Sequence, residues 1–331
     1  MSREILQRNF LSSLGLQEAS ISMLAGDASF RRYFRLNFKE RDLVLMDAPP
    51  PEEDTRQFVM IANHLRSIGL NPPTIYGEDH KHGFLLLEDF GNEKFSHILK
   101  SKTINEETYF YQKAVHLLAS LHGFPAPSWL PDYNIKSLLE EVDLFINWYW
   151  PLVNNGPIDS SARNSYHAAW KDVLALADTQ KKVLVLRDFH ADNLMWLESR
   201  TGNCKVGLLD FQDAISGSPI YDLVSLLEDV RRDVRRDIVN NMRAYYLKIQ
   251  KDHLPNFDTS YSVFSAQRNT KILGIFTRLW KRDGKEQYMQ LVPRTWRLLN
   301  NSLQNPALAP IHSWFEQFIP ADCRTISSQT L

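Results

Sequence analysis

The sequence predicts an α+β protein with two lobes: a small N-terminal lobe with an antiparallel sheet and a larger, mostly helical C-terminal lobe. Strand-like and helical segments alternate up to about residue 90, and from about residue 93 the apolar residues have mainly helical spacing. The length of 331 residues also suits two domains or one two-lobed unit. The expected boundary lies at EDFGNEKF, which gives a first lobe over 1–90 and a second lobe over 91–331.

The first lobe is expected to contain two helices and a small sheet. The first helix has four apolar residues at helical spacing and ends at Gly15. A second helix over 52–68 has the same spacing, and Gly69 follows it where a helix cap would lie. The strand-like segments are SFRRYFRLNF (29–38), RDLVLMDAPPP (41–51), PPTIYGED (72–79) and GFLLLEDFG (83–91).

The second lobe is expected to be helical, with short strands only within 183–213. The predicted helices are 105–122, 135–150, 158–180, 219–250, 258–281 and 306–318. In EDVRRDVRRD (228–237) the charges alternate in sign, which is typical of a solvated helix face. At helical spacing, however, Asp229 with Arg232, or Asp233 with Arg236, could turn towards a cleft and bind a carboxylate-bearing substrate.

The aromatic segment NWYWP (147–151) also has two interpretations. It can belong to the core, or Trp148 or Tyr149 can form a stacking wall for a sugar ring.

Composition argues against several classes of protein. The formal net charge is −1, so there is no basic surface for nucleic acid or an anionic membrane. The longest apolar runs are far below membrane-spanning length, and the N-terminus lacks a signal-peptide core. Two cysteines without metal-ligand spacing favour a reducing compartment, so we expect a cytoplasmic protein.

Two apolar strands end in carboxylate and amide side chains. LRDFHADNLMW (186–196) places Asp188 and Asn193 five residues apart, the spacing of a kinase catalytic loop. In that arrangement the Asp accepts the proton of the attacking hydroxyl and the Asn binds Mg²⁺. Asp210, at the end of the strand in GLLDFQDA, occupies the place of the second metal ligand. The joint pattern predicts a magnesium-phosphate site.

The neighbouring polar residues have ordinary structural explanations. His190 is expected to hold the loop by hydrogen bonds, and Asp222 to brace it. Asp192 can be a turn residue or a ligand, and Asp213 can assist a metal or begin a helix.

These motifs resemble the aminoglycoside phosphotransferase family, within the protein-kinase-like fold, over nearly the whole chain. One branch is closer, the anomeric kinases for N-acetylmuramate and N-acetylglucosamine in bacterial cell-wall recycling. The similar segments include GDASFRRYFRL (26–36), RDFHADNLMW (187–196) and RNTKILGIFTRLWKRDGK (268–285). The resemblance implies Asp188 as the base, Asn193 and Asp210 as Mg²⁺ ligands, ATP as co-substrate, and the backbone around Glu88, Asp89 and Phe90 as the adenine-binding hinge. It also implies a sugar 1-phosphate product that passes to a uridylyltransferase.

The sequence departs from the kinase pattern at the phosphate clamp. No G-x-G-x-x-G precedes the strand in SFRRYFRL, and LVLMDAPP has Met46 and Asp47 where a nucleotide-binding Lys is expected. The helix at 52–68 has glutamates only in its first turn, so the lysine–glutamate pair of the kinase pattern is not evident. Arg31 or Arg32 could supply the missing charge.

Three functions follow from these observations. The first is the anomeric amino-sugar kinase. The second is a kinase for another small alcohol, such as an aminoglycoside, which the four arginines in 228–237 disfavour because such substrates are cations. The third is a nucleotide-binding pseudokinase scaffold, which the missing Lys favours and the intact Asp188, Asn193 and Asp210 oppose.

Overall fold

The computed structural model describes residues 2–26, 30–177, 181–250 and 254–324. The chain divides into two compact units: Met1–Leu117 with Ala191–Asp213, and Leu118–His190 with Ala214–Leu331. The first unit therefore extends beyond the boundary expected near residue 90 and includes a later segment. Ser29 of the expected strand and residues 178–180 of an expected helix lie outside the described residues.

The first unit is built on a five-stranded antiparallel sheet of order β1-β2-β3-β5-β4. Its strands are β1 (Ser20–Gly26), β2 (Arg32–Phe38), β3 (Arg41–Asp47), β4 (Ile75–Asp79) and β5 (Phe84–Glu88). Its helices are α1 (Arg3–Ser13), α2 (Thr55–Ser67), α3 (Phe95–Ile98) and α4 (Ile104–Leu121), the last of which ends in the second unit.

Alternating side chains on the central strands form the core of this unit. Leu43 and Leu45 of β3 and Phe84 and Leu86 of β5 are buried in one cluster, to which α1 adds Phe10 and Leu11. The rings of Phe10 and Phe84 stack with centroids 5.6 Å apart. Successive strand residues face opposite sides of a sheet, so this spacing of two places α1 on one face.

A later hairpin completes the first unit. Strands β7 (Leu194–Trp196) and β8 (Val206–Leu208) pair antiparallel. The amide of Leu208 donates to the carbonyl of Asn71 at 3.0 Å, and the amide of Trp196 donates to that of Glu93 at 2.7 Å. These backbone bonds explain why residues beyond 190 belong with the N-terminal sheet.

The second unit is mostly helical around a two-stranded sheet of β6 (Val183–Val185) and β9 (Ile215–Gly217). Its helices are α5 (Ile135–Leu144), α6 (Trp150–Asn154), α7 (Ser160–Ala175), α8 (Ile220–Leu227), α9 (Arg236–Ile249), α10 (Phe257–Asp283), α11 (Val292–Leu303) and α12 (Ala309–Phe318). A π-helical turn, Phe145–Tyr149, links α5 to α6. Gly274 allows α10 to pack closely there, because a Cβ at this position would lie 2.3 Å from the carbonyl carbon of Leu144.

The helix predicted over 219–250 is wrong in its middle. The chain forms α8 and α9, and residues 228–235 between them are not helical. The side chain of Asp229 accepts the amide of Arg231 at 2.9 Å, a local bond that competes with helical hydrogen bonding. Strands β1 and β9 and helices α3 and α11 lie outside the segments for which a strand or helix was predicted. No helix in the described part of the chain is both long and apolar enough to cross a membrane.

Candidate active site

The two strand-end motifs lie in different compact units. Asp188 belongs to the second unit, and Asn193 and Asp210 belong to the first. Both motifs contain a residue in the left-handed region, Arg187 with φ 70° and Asp210 with φ 54°. Such backbone is uncommon for residues other than glycine and is found where the surrounding structure enforces it, often at functional sites.

Asp210 and Asn193 are adjacent in the first unit. Asn193 Nδ2 lies 3.4 Å from Asp210 Oδ2, and the amide of Leu209 donates to the carbonyl of Asn193 at 3.0 Å. Asp210 Oδ1 also accepts from Gln212 Nε2 at 2.8 Å. One carboxylate and one side-chain amide side by side supply the oxygen ligands that Mg²⁺ prefers, so the residues fit the metal that the resemblance implies.

Arg31 lies against Asp210. Its Nη2 is 3.2 Å from Asp210 Oδ1, its Nη1 is 3.5 Å from Glu53 Oε2, and only 7% of the residue is exposed. Burial opposes the charge of Arg31. The pKa of Arg31 is nevertheless raised above its ordinary value, because Tyr33 and the carboxylates of Asp210 and Glu53 favour the cation.

Arg32 has a different environment. On the paired strands β2 and β3 it lies opposite Asp47, and its Nη2 is 2.8 Å from Asp47 Oδ2. Asp47, which is 1% exposed, also accepts hydrogen bonds from Arg3. Of the two arginines expected at the nucleotide, the structure therefore brings Arg31 to the predicted metal ligand Asp210, whereas Arg32 is paired on the sheet.

The side chains of the expected hinge are occupied by structural contacts. Glu88 accepts from the Thr74 amide and hydroxyl and pairs with Arg200. Asp89 pairs with Arg35 and accepts the amide of Gly91 at 2.7 Å. Phe90 is buried, and a Cβ on Gly207 would lie 2.7 Å from its ring. These contacts order the segment and occupy the side chains of Glu88 and Asp89 within the protein.

In the second unit, the loop that carries Asp188 is held by Asp222. The two carboxylate oxygens of Asp222 accept the amides of Leu186 at 2.6 Å and Arg187 at 2.8 Å. Burial, together with the charge of Asp188, raises the pKa of Asp222 to about 7, against the opposing effect of the two backbone hydrogen bonds. His190 is also buried, and its amide donates to the Asp188 carbonyl at 3.1 Å. Asp222 therefore binds the two backbone amides that immediately precede Asp188.

A second network holds the side chain of Arg187. Arg187 pairs with Glu141 of α5, which also accepts from Lys271 Nζ at 3.1 Å and from Gln267 Nε2 at 3.0 Å. Although burial opposes ionisation, Lys271 and Arg187 lower the pKa of Glu141 to about 2. No local pattern in the sequence indicates this cluster, because Glu141 and Lys271 are 130 positions apart.

The structure separates the four residues predicted to bind a sugar. Tyr149 is fully buried in the aromatic core, where its hydroxyl donates to the Cys323 carbonyl and accepts from Trp296 Nε1. Tyr149 therefore cannot form a stacking wall, whereas Trp148 is half-buried. Asp229 and Arg232 both line a cavity of about 630 Å³, together with Arg236 and Arg297.

Asp192 and Asp213, the two polar residues next to the motifs, both lie in the first unit. Asp213 is exposed and accepts from Gln212 Nε2 at 2.9 Å. It does not begin a helix, because the next element is β9. Asp192 lies in a 3₁₀ turn, Ala191–Asn193.

Comparisons with known proteins agree with this architecture. The model of a phosphotransferase enzyme family matches residues 20–258. An N-acetylmuramate/N-acetylglucosamine kinase of Caulobacter vibrioides is 31% identical over 97% of this chain and 98% of that protein. The protein of the same name from Pseudomonas aeruginosa is 33% identical over 88% of this chain and 87% of its own.

Solved structures share the fold. The streptomycin–ATP–APH(2″)-IIa ternary complex aligns with a TM-score of 0.62 at 14% identity, over 94% of this chain and 98% of that one. Likeness at that identity concerns the fold alone, and it confirms the kinase-like α+β fold that the sequence predicted.

Proposed function

The chain belongs to the phosphotransferase enzyme family, and we propose that it is an ATP-dependent kinase for the C1 hydroxyl of N-acetylmuramate and N-acetylglucosamine. The relatives that carry this name are 31% and 33% identical over most of the chain, which supports the substrate class. The observation that carries the proposal is the contact between Asn193 and Asp210, two metal-ligating residue types at the positions that the kinase pattern predicts.

Asp188 is the base in this proposal. It lies five residues before Asn193 in one loop, and the backbone immediately before it is held by the bonds from the amides of Leu186 and Arg187 to Asp222. The C1 hydroxyl of a reducing sugar is more acidic than its other hydroxyls, because the ring oxygen withdraws electron density. A carboxylate therefore suffices to accept its proton as the bond from the C1 oxygen to the γ-phosphorus of ATP forms and the bond from that phosphorus to the bridging oxygen of ADP breaks.

Asn193 and Asp210 would hold Mg²⁺, which when bound neutralises charge on the phosphate oxygens of ATP. The backbone of residues 88–90 would bind adenine, because the side chains there are committed to contacts within the protein. The product, a sugar 1-phosphate, is a substrate class that a uridylyltransferase consumes.

Of the two proposed sugars, N-acetylmuramate has a lactyl carboxylate, and this group needs a cation in the binding site. Arg232 and Arg236 both line the cavity in the second unit, and Asp229 lies beside them. These three residues and the half-buried Trp148 are the candidates for contact with the sugar.

The test is ATP consumption with both amino sugars, their methyl glycosides and an aminoglycoside, followed by phosphorus NMR of each product. We expect turnover of the two free sugars, with phosphate on C1, and none of the methyl glycosides, whose C1 oxygen is blocked. Phosphate on C6, or turnover of a methyl glycoside, would refute the anomeric assignment. Turnover of the aminoglycoside alone would favour a different alcohol acceptor, and no turnover with measurable ATP binding would favour a scaffold.

A further inference from the structure

A kinase without the usual lysine needs another cation at the phosphates. In protein kinases this lysine lies on the third strand and pairs with a glutamate of the following helix. Here the corresponding segment of β3, LVLMD (43–47), contains neither lysine nor arginine. Met46 is buried, and Asp47 is paired with Arg3 and Arg32. The strand therefore does not supply the clamp.

We propose that Arg31, held by Glu53, is the residue that binds the β- and γ-phosphates of ATP in this enzyme. The proposal rests on the proposed function and identifies the clamp that the sequence pattern lacks. The pair is built from different elements than in protein kinases: the cation immediately precedes β2 and the glutamate lies in the loop before α2.

The position of Arg31 is the first support. Its guanidinium lies 3.2 Å from Asp210, the residue proposed to bind Mg²⁺, so its charge lies beside the proposed phosphate-metal site. It is also 93% buried, and burying a guanidinium is costly unless carboxylates compensate. Asp210 and Glu53 provide that compensation, which fixes a cation where an ordinary surface arginine would be mobile.

The packing of α2 is the second support, because it determines where Glu53 lies. Asp54 caps the helix by accepting the amide of Arg56 at 2.9 Å. One turn later, Phe58 packs on Phe211 with ring centroids 4.6 Å apart. Phe211 directly follows Asp210. The packing of α2 against Phe211 therefore places Glu53 next to Arg31, which pairs with Asp210.

The chemistry of the side chain fits the ligand. A guanidinium has five donors in a plane and can bind phosphate oxygens bidentately, which lysine cannot do. Glu53 acts through Arg31 and is a positioning residue: it fixes one edge of the guanidinium while the other faces Asp210.

The test measures binding as well as turnover. The dissociation constants of ATP, ADP and AMP, each with Mg²⁺, are determined by calorimetry for the wild type, Arg31→Gln and Glu53→Gln. Glu52→Gln is the matched control, because Glu52 is the exposed neighbour of Glu53. We expect Arg31→Gln to weaken ATP binding about tenfold or more, ADP binding less, and AMP binding hardly at all. Glu53→Gln should weaken ATP binding by a smaller factor and have no further effect in the Arg31→Gln background.

Several results would overturn the proposal. Unchanged ATP affinity in Arg31→Gln would do so, and so would an equal loss for ATP and AMP, which would indicate a distorted adenine site. A larger loss in Arg32→Gln than in Arg31→Gln would assign the clamp to the other arginine. If Arg31→Gln does not fold, Arg31→Lys is the deciding variant, because a lysine keeps the charge but lacks the planar guanidinium. This variant should bind ATP a few-fold more weakly than the wild type and should bind AMP normally. Unchanged ATP affinity in Arg31→Lys would refute the clamp.

The outcomes separate this proposal from the proposed function. A wild type that binds ATP through Arg31 but phosphorylates no amino sugar refutes the function alone. A wild type that phosphorylates the sugars while Arg31→Gln binds ATP normally refutes the clamp alone.

Discussion

Asp222 accepts the backbone amide of Arg187 at 2.8 Å, and Arg187 is a left-handed residue with φ 70°. The carboxylate of α8 thereby holds the strained residue that immediately precedes Asp188. Backbone of this kind costs about 1–3 kcal/mol and persists only where neighbouring groups enforce it. Asp222 and Glu141 enforce it from two sides, through the main chain and the side chain of Arg187.

The pH dependence of stability should report on Asp222. Its pKa is about 7 in the folded chain, against an ordinary value of 3.8. Because the folded state binds this proton more tightly, the contribution to stability is complete below about pH 4 and is lost as pH rises through 7. The free energy of unfolding of the wild type should therefore fall relative to Asp222→Asn between about pH 4 and 7. Urea unfolding at several pH values measures the difference, and parallel curves would contradict the assignment.

Asp188→Asn should lower kcat by about 10² or more, because an amide cannot accept the proton of the sugar hydroxyl. The dissociation constant of ATP should change little, since adenine and phosphate contacts are assigned to other residues. Steady-state kinetics at saturating sugar, with calorimetry of ATP binding, separates the two effects. A variant with near wild-type kcat would remove Asp188 from the role of base.

Asp210→Ala should abolish Mg²⁺-dependent turnover, and Asn193→Ala should weaken it less. A carboxylate is a stronger ligand for this ion than a neutral amide oxygen, and both charge neutralisation and phosphate bridging depend on the ion. Initial rates across a Mg²⁺ titration make the comparison. The assignment fails if the activation curve of Asp210→Ala superimposes on that of the wild type.

Glu141→Gln should lower the free energy of unfolding by about 3–5 kcal/mol, because it leaves Arg187 and Lys271 without their shared carboxylate. The adjacent Glu140→Gln is the control, since the Glu140 side chain is 65% exposed and its change should cost less than about 0.5 kcal/mol. The pKa of Glu141 is lowered to about 2, so its contribution is present above the ordinary value of 4.5 and is lost as pH falls through 2. Equal urea midpoints for the two variants would show that the pair carries no stability.

The sequence was sufficient for those parts of the site that are local. Asp188 and Asn193 share one loop, and Asp210 ends a short strand, so strand periodicity and spacing locate all three. Asn193 and Asp210 then meet because β7 and β8, which lie between them in the sequence, form a hairpin. A pattern in neighbouring residues is enough when the structure that joins them is also local.

Contacts between residues far apart along the chain could not be predicted from the sequence. Arg31 and Arg32 are neighbours of equal charge, and they are distinguished by their partners: Asp210 and Glu53 for Arg31, and Asp47 for Arg32. The helix predicted over 219–250 is interrupted at 228–235 for a local reason, the bond from the Arg231 amide to Asp229, which helical spacing does not reveal.

The interrupted course of the first unit has a consequence for biosynthesis. A ribosome synthesises Met1–Leu117 first, then Leu118–His190 of the second unit, and only then Ala191–Asp213, which completes the first unit. Until β8 has emerged, the carbonyl of Asn71 lacks the Leu208 amide, and Phe90 lacks the Gly207 backbone on which it packs. The N-terminal sheet therefore matures only after about two thirds of the chain has been translated, so the protein cannot fold simply lobe after lobe in the order of synthesis.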